Sequence, residues 1–220
     1  MSAEKVIEIA RGELGTAEQP AGSNKVKYWD AYDKSFQGQP WCVAFLWWVF
    51  REAGEGSAFL GGGKTASCTT LLRWYEAQGQ TVPVEQVQPG DIVLLNFNGG
   101  KTPEHCGLVE QVYDNPVWGR NFDTIEGNTS PSDGSQSNGG KVCEKMRYPS
   151  QIVGVCRPMF KKKKEETPKD DVSGHWAEKS IRKAVRKGTM TGFPDGSFRP
   201  NDPLTRAELA TILDRLGLLG

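Results

Sequence analysis

Residues 40–54, PWCVAFLWWVFREAG, are the most informative stretch of this chain. Apolar side chains cover most of the circumference that a helix would present here, so the segment predicts a buried helix that begins after Pro40 and ends at Gly54. Cys42 lies in its predicted first turn, where unpaired N–H groups and the helix dipole stabilise a thiolate. A buried structural cysteine is the alternative, and the pattern alone leaves both open.

Helical patterns flank this segment on both sides. An apolar face runs from Val6 to Leu14 and ends at Gly15, and residues 24–32 and 65–78 predict two further helices. After Pro89 and Gly90 the pattern changes to short, β-branched or aromatic segments separated by Gly, Asn and Pro. The strands are predicted at residues 91–97, 105–113, 122–126, 141–148 and 152–159. Helices followed by an antiparallel strand series are typical of an α+β fold.

A change of composition near residue 160 predicts two domains. Residues 160–169, FKKKKEETPK, are typical of an exposed linker, with a polybasic patch for anionic polymers as the alternative. We therefore expect a domain at residues 1–158, a linker at 159–169 and a small unit at 170–220. That unit contains two predicted helices, at residues 176–187 and 204–216. The unit has few large apolar side chains, so it would be only marginally stable by itself. This favours docking or oligomerisation.

Charge and composition narrow the function. The 220 residues carry a formal net charge of +0, divided into −4 over residues 1–158 and +4 over the remainder. This balance argues against a nucleic-acid binder, and no apolar run is long enough to span a membrane. The N-terminus lacks the features of a secretory signal, so we expect synthesis in the cytosol. Five cysteines without a CxxC pair fit neither a disulfide framework nor a zinc knuckle, which favours a free thiol with a role.

His105 gives Cys42 a candidate partner. It opens a predicted strand, and a cysteine at a helix start paired with a histidine is the arrangement of nucleophilic catalysis. A third group must hold the imidazole in one tautomer. Glu126 and Asn128 stand two residues apart on a later predicted strand and would share one face, so either is able to do this. The other cysteines, Cys68 within a helix and Cys106, Cys143 and Cys156 within strands, suit a structural role better.

Four blocks, PWCVAFLWW, GDIVLLNF, EHCGLVEQV and TIEGN, resemble in order and spacing those of CHAP domains, the cysteine- and histidine-dependent amidohydrolases/peptidases. The preceding segment at residues 15–33 resembles the start of CHAP domains in phage lysins. The resemblance implies a papain-like α+β fold over residues 3–158 and cleavage of peptidoglycan amide bonds. It makes Cys42 the nucleophile, His105 the general base and Glu126 the group that orients it, with Asn128 as a further polar site residue.

The same resemblance suggests ligand-binding residues. Trp41, Gln39 and Tyr28 are the expected contacts to glycan or stem peptide, with a position in the core as the alternative for the two aromatic rings. Gln37 and Gln39 are both candidates for an oxyanion-hole side chain. Some CHAP domains bind calcium through acidic residues before the nucleophile. Here only Asp30 and Asp33 stand in that region, so we expect no metal or other cofactor, with calcium as a weakly supported alternative.

Residues 169–219 closely resemble a single S-layer homology (SLH) motif through HWA, PDGSFRP and TRAE. The resemblance implies binding to an anionic secondary polysaccharide of bacterial walls. The expected contacts are Arg206 as anion ligand, Thr205 and Trp176 beside it, and Gly196 for close backbone approach. A salt bridge of Arg206 with Asp202 or Glu208 is the alternative. Family members usually carry three copies, so one copy predicts a homotrimer.

Together these features predict an endolysin with a peptidoglycan-cleaving domain and a wall-binding unit, held in the host cytoplasm until it is released to the wall. The first alternative is a host autolysin or wall-remodelling hydrolase. The second is a non-catalytic wall-binding protein associated with an S-layer. Which peptidoglycan bond is cut does not follow from the residues.

Overall fold

The computed structural model describes residues 3–116, 119–131, 134–160 and 170–219. The chain forms two compact units, Met1–Lys162 and Lys163–Gly220. Most of the proposed linker, residues 161–169, and with it the lysine run, lies outside the described residues. Phe160, at the start of the proposed linker, stacks on Phe50 of the first unit with ring centroids 5.9 Å apart. The ordered packing of the first unit therefore extends at least to this residue.

The first unit begins with four α-helices, α1 Ala3–Gly12, α2 Lys27–Tyr32, α3 Cys42–Glu52 and α4 Cys68–Ala77. All four were predicted, but α1 ends before Leu14, and α2 and α4 are shorter than the predicted segments 24–32 and 65–78. Leu14 lies beyond α1 and is exposed, and Asn24 has a left-handed φ of 53°, which excludes it from the start of α2. Ser67 caps α4, because its side chain accepts a hydrogen bond from the N–H of Thr70.

Five strands follow, β1 Ile92–Leu95, β2 His105–Asn115, β3 Gly119–Thr129, β4 Lys141–Arg147 and β5 Ile152–Cys156. They form one antiparallel sheet in the order β4-β3-β2-β1-β5. The α+β prediction is confirmed. Antiparallel pairing of β1 and β2 sets His105 opposite Leu95 at the end of the sheet.

Helix α3 lies at the centre of the unit, packed against α1, α2, β2 and β3. Its fully buried side chains include Phe45, Leu46 and Phe50, each worth roughly 1.5–3 kcal/mol of apolar burial. The close approach of β3 depends on Gly127, because a Cβ there would lie 2.7 Å from atoms of Phe45 and Trp41. Tight packing of α3 on the sheet places the start of this helix over β2 and β3.

The second unit contains α5 Glu178–Arg186 and α6 Arg206–Arg215, in agreement with the small helical unit predicted. Val172 and Ile181 are its buried apolar residues, and α6 buries none of its own. No helix within the described ranges is long and apolar enough to cross a membrane.

Candidate active site

Cys42 is the first residue of α3, as the sequence predicted. The first N–H groups of a helix have no acceptor within the helix, and the dipole adds partial positive charge at this end. The side chain is only 5% exposed. Cys42 therefore has the setting of a reactive cysteine whose access to solvent is narrow.

His105 opens β2 and is completely buried. Its Nε2 lies 3.1 Å from Oε2 of Glu126, so the sequence-based pairing of these two residues is present in the structure. Its Nδ1 is buried and has no hydrogen-bond partner among the described residues. Since Nε2 is held by the carboxylate, Nδ1 is the nitrogen left for proton exchange with the Cys42 thiol.

Arg147 and Thr124 complete a network around Glu126. Arg147 donates from Nε to Oε1 at 2.7 Å and from Nη2 to Oε2 at 2.6 Å, and the Thr124 hydroxyl donates to Oε1 at 2.6 Å. Burial alone would raise the pKa of Glu126, but the hydrogen bonds and charges of Arg147 and His105 outweigh it and lower the pKa to about 2. Glu126 is therefore a fixed carboxylate. Sequence reasoning assigned neither of them a role: Thr124 opens the TIEGN block on β3, and Arg147 stands on β4 outside every quoted block.

The same contacts shift the pKa values of Cys42 and His105 in opposite directions. Hydrogen bonds from Cys106 and Cys68, with the His105 imidazole, lower the pKa of Cys42 well below its ordinary value despite burial. Burial alone would lower the pKa of His105, but its interactions with Cys42 and Glu126 outweigh burial and raise it to about 9. A thiolate beside an imidazolium is the protonation state that these shifts favour at neutral pH.

The sulfur atoms of two further cysteines lie close to the sulfur of Cys42. The Sγ atoms of Cys42 and Cys68 are 3.8 Å apart, and those of Cys42, Cys68 and Cys106 all lie within 4.8 Å of one another. The sequence predicted plain structural roles for Cys68 and Cys106. Their convergence could not be read from the sequence, because Cys68 begins α4 and Cys106 follows His105 in β2, far apart along the chain.

The Asn128 side chain forms its hydrogen bonds away from the imidazole, contrary to the expectation that it shares a face with Glu126. A register shift between Glu126 and Thr129 and a left-handed φ of 60° at Asn128 break the strand alternation. Its Oδ1 instead accepts from the N–H of Trp41 at 3.2 Å, and its Nδ2 donates to the carbonyl of Gly139 at 3.0 Å. Asn128 thus ties the end of β3 to the residue before Cys42.

Two of the three expected substrate contacts lie in the core. Trp41 and Tyr28 are completely buried, with ring centroids 5.4 Å apart, and donate to Glu18 at 2.9 Å and to Glu13 at 2.7 Å respectively. Those predictions are wrong, because Tyr28 packs against Phe45 and Trp48 of α3 and Trp41 lies against Gly127 of β3, which leaves both rings in the core. Gln39 is exposed, and its backbone carbonyl accepts from the indole of Trp29 at 3.0 Å.

The other residues considered before Cys42 make local contacts. Gln37 both donates to and accepts from the backbone of Val26, so its side chain is occupied away from Cys42. Asp30 accepts from Gln37 at 3.3 Å, and Asp33 accepts from the backbone and hydroxyl of Ser35. Neither carboxylate belongs to a cluster of three or more metal-binding side chains within the described ranges.

In the second unit the four expected polymer contacts are exposed but do not line one cavity. Trp176 is 92% exposed and Arg206 begins α6. Thr205 caps α6, because its hydroxyl accepts from the N–H of Glu208 while Glu208 accepts from the N–H of Thr205. Gly196, at a φ of 81°, closes a turn onto Phe193 and borders a cavity of about 510 Å³ that the other three do not line.

The family models match both units. Residues 34–128 match the model of the CHAP domain, and residues 170–210 match that of the S-layer homology domain. The first matched stretch lies within the α+β unit and includes Cys42, His105 and Glu126, and the second lies within the small helical unit. This chain contains a CHAP domain followed by an S-layer homology domain.

The similarity to known proteins covers only part of this chain. The Cellulosome-anchoring protein of Acetivibrio thermocellus is 42% identical over 50 residues, which is 23% of this chain and 11% of the relative. The Outer membrane protein SlpA of Thermus thermophilus is 45% identical over 47 residues, 21% of this chain and 5% of the relative. The chain thus spans about a tenth or less of these curated relatives. The crystal structure of Ly7917 aligns with a TM-score of 0.42 and 18% identity, covering 72% of this chain and 63% of Ly7917.

Proposed function

We propose that this chain hydrolyses amide bonds of bacterial peptidoglycan, with Cys42 as nucleophile, His105 as general base and acid, and Glu126 as the group that orients His105. The observation that carries the proposal is the buried His105–Glu126 pair, with Oε2 3.1 Å from Nε2, together with Cys42 at the N-terminus of α3, whose pKa the His105 imidazole helps to lower. The CHAP match over residues 34–128 supports the reaction class, and the S-layer homology match supports the bacterial wall as substrate.

In the first half of the reaction, the Cys42 thiolate attacks the amide carbonyl and forms a tetrahedral oxyanion. The N–H of Cys42 is free of intrahelical hydrogen bonds at the start of α3, so it is one donor to this oxyanion. The imidazolium of His105 then gives its proton to the leaving amine as the C–N bond breaks. The products are a thioester on Cys42 and the released amine.

In the second half, neutral His105 takes a proton from water, which attacks the thioester carbonyl. Collapse of the second oxyanion breaks the C–S bond and releases the carboxylic acid, while the thiolate and imidazolium are restored. Glu126 stays ionised throughout because its pKa is about 2, so it stabilises the imidazolium without taking its proton. Arg147 holds the carboxylate in place for this task.

We also propose that the S-layer homology unit binds an anionic wall polysaccharide through Arg206 and Trp176. Arg206 is exposed at the N-terminus of α6 and forms no ion pair with any described residue, since Glu208 is engaged by Thr205. Its guanidinium is therefore available to bind a carboxylate in bidentate fashion. Trp176, 92% exposed, offers an aromatic surface for a sugar ring.

The exposed apolar residues of this unit support a homotrimer formed with two further copies. Helix α6 buries none of its residues, and the apolar side chains at least 40% exposed in the unit are Trp176, Val185, Phe193, Leu204, Leu209, Leu216, Leu218 and Leu219. A surface of this kind is typical of an interaction site. Light scattering of the full chain at micromolar concentration tests the trimer, and a monomer would contradict it.

The enzyme assignment is tested by the loss of turbidity of purified bacterial walls. We expect lysis by the wild-type chain and by Cys143→Ser, which removes a thiol outside the relay, and none by Cys42→Ala with an unchanged far-UV spectrum. Mass spectrometry of the digest then identifies the bond that is cut. Hydrolysis by folded Cys42→Ala would exclude the nucleophile, and inactivity of the wild type on several wall types would favour the non-catalytic alternative.

The endolysin assignment and the cytoplasmic location stay predictions from the sequence. Lysis from within a host and remodelling of the host's own wall use the same bond chemistry. A holin gene beside the coding gene would support the endolysin, and a location among wall-synthesis genes would support the autolysin.

A further inference from the structure

We propose that Cys42, Cys68 and Cys106 form a binding site for a thiophilic divalent cation of the zinc class. The three sulfur atoms come from separate parts of the chain and all lie within 4.8 Å of one another. Among the described residues, no other group of three cysteine, histidine or carboxylate side chains converges in this way. Three sulfur donors around one point are a ligand set for zinc.

The sulfur separation fits a shared metal ion better than a disulfide. Zinc–sulfur bonds of about 2.3 Å in a tetrahedral site place two sulfurs roughly 3.8 Å apart. The Sγ atoms of Cys42 and Cys68 are 3.8 Å apart in the structure. A disulfide needs about 2.05 Å, so the same sulfurs would have to move closer by more than about 1.5 Å.

The three ligands stand on rigid elements. Cys42 is the first residue of α3, Cys68 the first residue of α4, and Cys106 the second residue of β2. Two helix N-termini thus face the cluster, and their partial positive charge offsets the negative charge of the thiolates. Cys106 is completely buried, whereas Cys42 and Cys68 are 5% and 9% exposed, which marks the side from which an ion enters.

The donors also determine which ions the site accepts. Soft thiolates select zinc, cadmium or cobalt, while calcium and magnesium require oxygen ligands. No described carboxylate converges with the three sulfurs. The Nδ1 of His105, buried and without a hydrogen-bond partner among the described residues, adjoins the cluster through its interaction with Cys42. The site is therefore distinct in chemistry from a calcium site.

Occupancy of this site would block the reaction proposed above, and this consequence rests on that proposed function. A metal bound to Cys42 takes the sulfur electron pair that would otherwise attack the carbonyl. Hydrolysis would stop while the metal is bound and resume after chelation, with no change in covalent structure. Zinc would thus act as a reversible inhibitor whose affinity depends on two cysteines outside the relay.

Binding is measured directly with cobalt(II), which reports thiolate ligation by absorption in the near ultraviolet. We expect the full-length, metal-free, reduced chain to bind one Co²⁺ under anaerobic conditions, and excess Zn²⁺ to displace it. Cys68→Ala should bind at least about tenfold more weakly, since even changes around a ligand cost this much. Cys143→Ser, a thiol outside the cluster, should bind as the wild type does.

Absence of thiolate–cobalt absorption in the folded wild type would overturn the proposal, and so would equal affinity of Cys68→Ala and the wild type. Cys106 is completely buried, so its replacement risks the fold; Cys68, at the start of α4 and 9% exposed, is the safer test. Circular dichroism verifies that each variant is folded.

A second measurement uses wall hydrolysis. The zinc concentration that halves each variant's own rate should rise at least about tenfold in Cys68→Ala and stay unchanged in Cys143→Ser. Equal sensitivity of Cys68→Ala and the wild type would show that zinc acts on Cys42 and His105 alone and would overturn the three-cysteine site. If the wild type hydrolyses no wall, the proposed function fails while the cobalt titration still decides the metal site.

Discussion

The guanidinium of Arg147 holds both carboxylate oxygens of Glu126, with Nε 2.7 Å from Oε1 and Nη2 2.6 Å from Oε2. Both side chains are almost completely buried, at 4% and 0% exposure. The ion pair links β4 to β3 and fixes the carboxylate that orients His105. A residue with no place in any motif therefore controls the geometry of the candidate relay.

Replacement of this arginine should impair both stability and catalysis. Arg147→Met leaves the Glu126 charge buried without its main partner, which typically costs about 3–5 kcal/mol. We expect a lower urea midpoint and a fall in kcat for wall hydrolysis. The control is Arg51→Met in the same unit, which removes an exposed guanidinium that contacts the Trp47 ring and should change stability by no more than about 1 kcal/mol. Equal effects of the two substitutions would contradict the role of Arg147.

The lowered pKa of Glu126 predicts a specific acid sensitivity. A carboxyl whose pKa falls from 4.5 to about 2 on folding contributes stability that is complete above pH 4.5 and is lost as the pH falls towards 2. Melting temperatures measured between pH 5 and pH 2.5 should decline. Glu126→Gln starts from a lower stability, because Arg147 loses its counter-ion, but should decline less steeply over this window. Parallel curves for the two proteins would argue against a buried ionised Glu126.

Asn128 is expected to stabilise the start of α3 rather than take part in proton transfer. Asn128→Ala removes the acceptor for the N–H of Trp41 and places a less tolerant residue at a left-handed φ of 60°. Lost hydrogen bonds and backbone strain together predict a loss of about 2–4 kcal/mol in urea unfolding. Asn128→Gly, which loses the hydrogen bonds without the strain, should be less destabilised. Alanine and glycine variants of equal stability would contradict the strain argument.

Arg206 should carry much of the affinity for the wall polymer. In the Cys42→Ala background, Arg206→Ala should bind purified walls about 10- to 100-fold more weakly, the equivalent of losing a charge-assisted hydrogen bond. Arg215→Ala, at the opposite end of α6, serves as the matched control and should bind normally. The binding of each variant is measured by cosedimentation with intact walls and with walls stripped of secondary polysaccharide. Unchanged binding of Arg206→Ala to intact walls would exclude this residue as the anion ligand.

The elements of the fold and the members of the relay were predictable because their signals are local. The apolar run after Pro40 predicted the central helix with Cys42 at its start, and alternating β-branched segments predicted the five strands. An antiparallel series places His105 and the later strand with Glu126 and Asn128 side by side, which left both residues open as its partner, and the family resemblance favoured Glu126. The two helices of the second unit followed from helical spacing and a Pro-Asp-Gly turn in the same way.

The tertiary structure alone decided what surrounds these residues. The register of β4 on β3 brings Arg147 to Glu126, and the placement of α4 brings Cys68 to Cys42. Neither Arg147 nor Cys68 carries a local signal that marks it as a partner. A break in strand register turned Asn128 towards Trp41, while the packing of α3 on β3 and of α2 on α3 buried Trp41 and Tyr28. The sequence by itself determined which residues are able to react, because reactivity depends on residue type and helix position. Their protonation states and neighbours depend on burial and long-range contacts, which exist only in the folded chain.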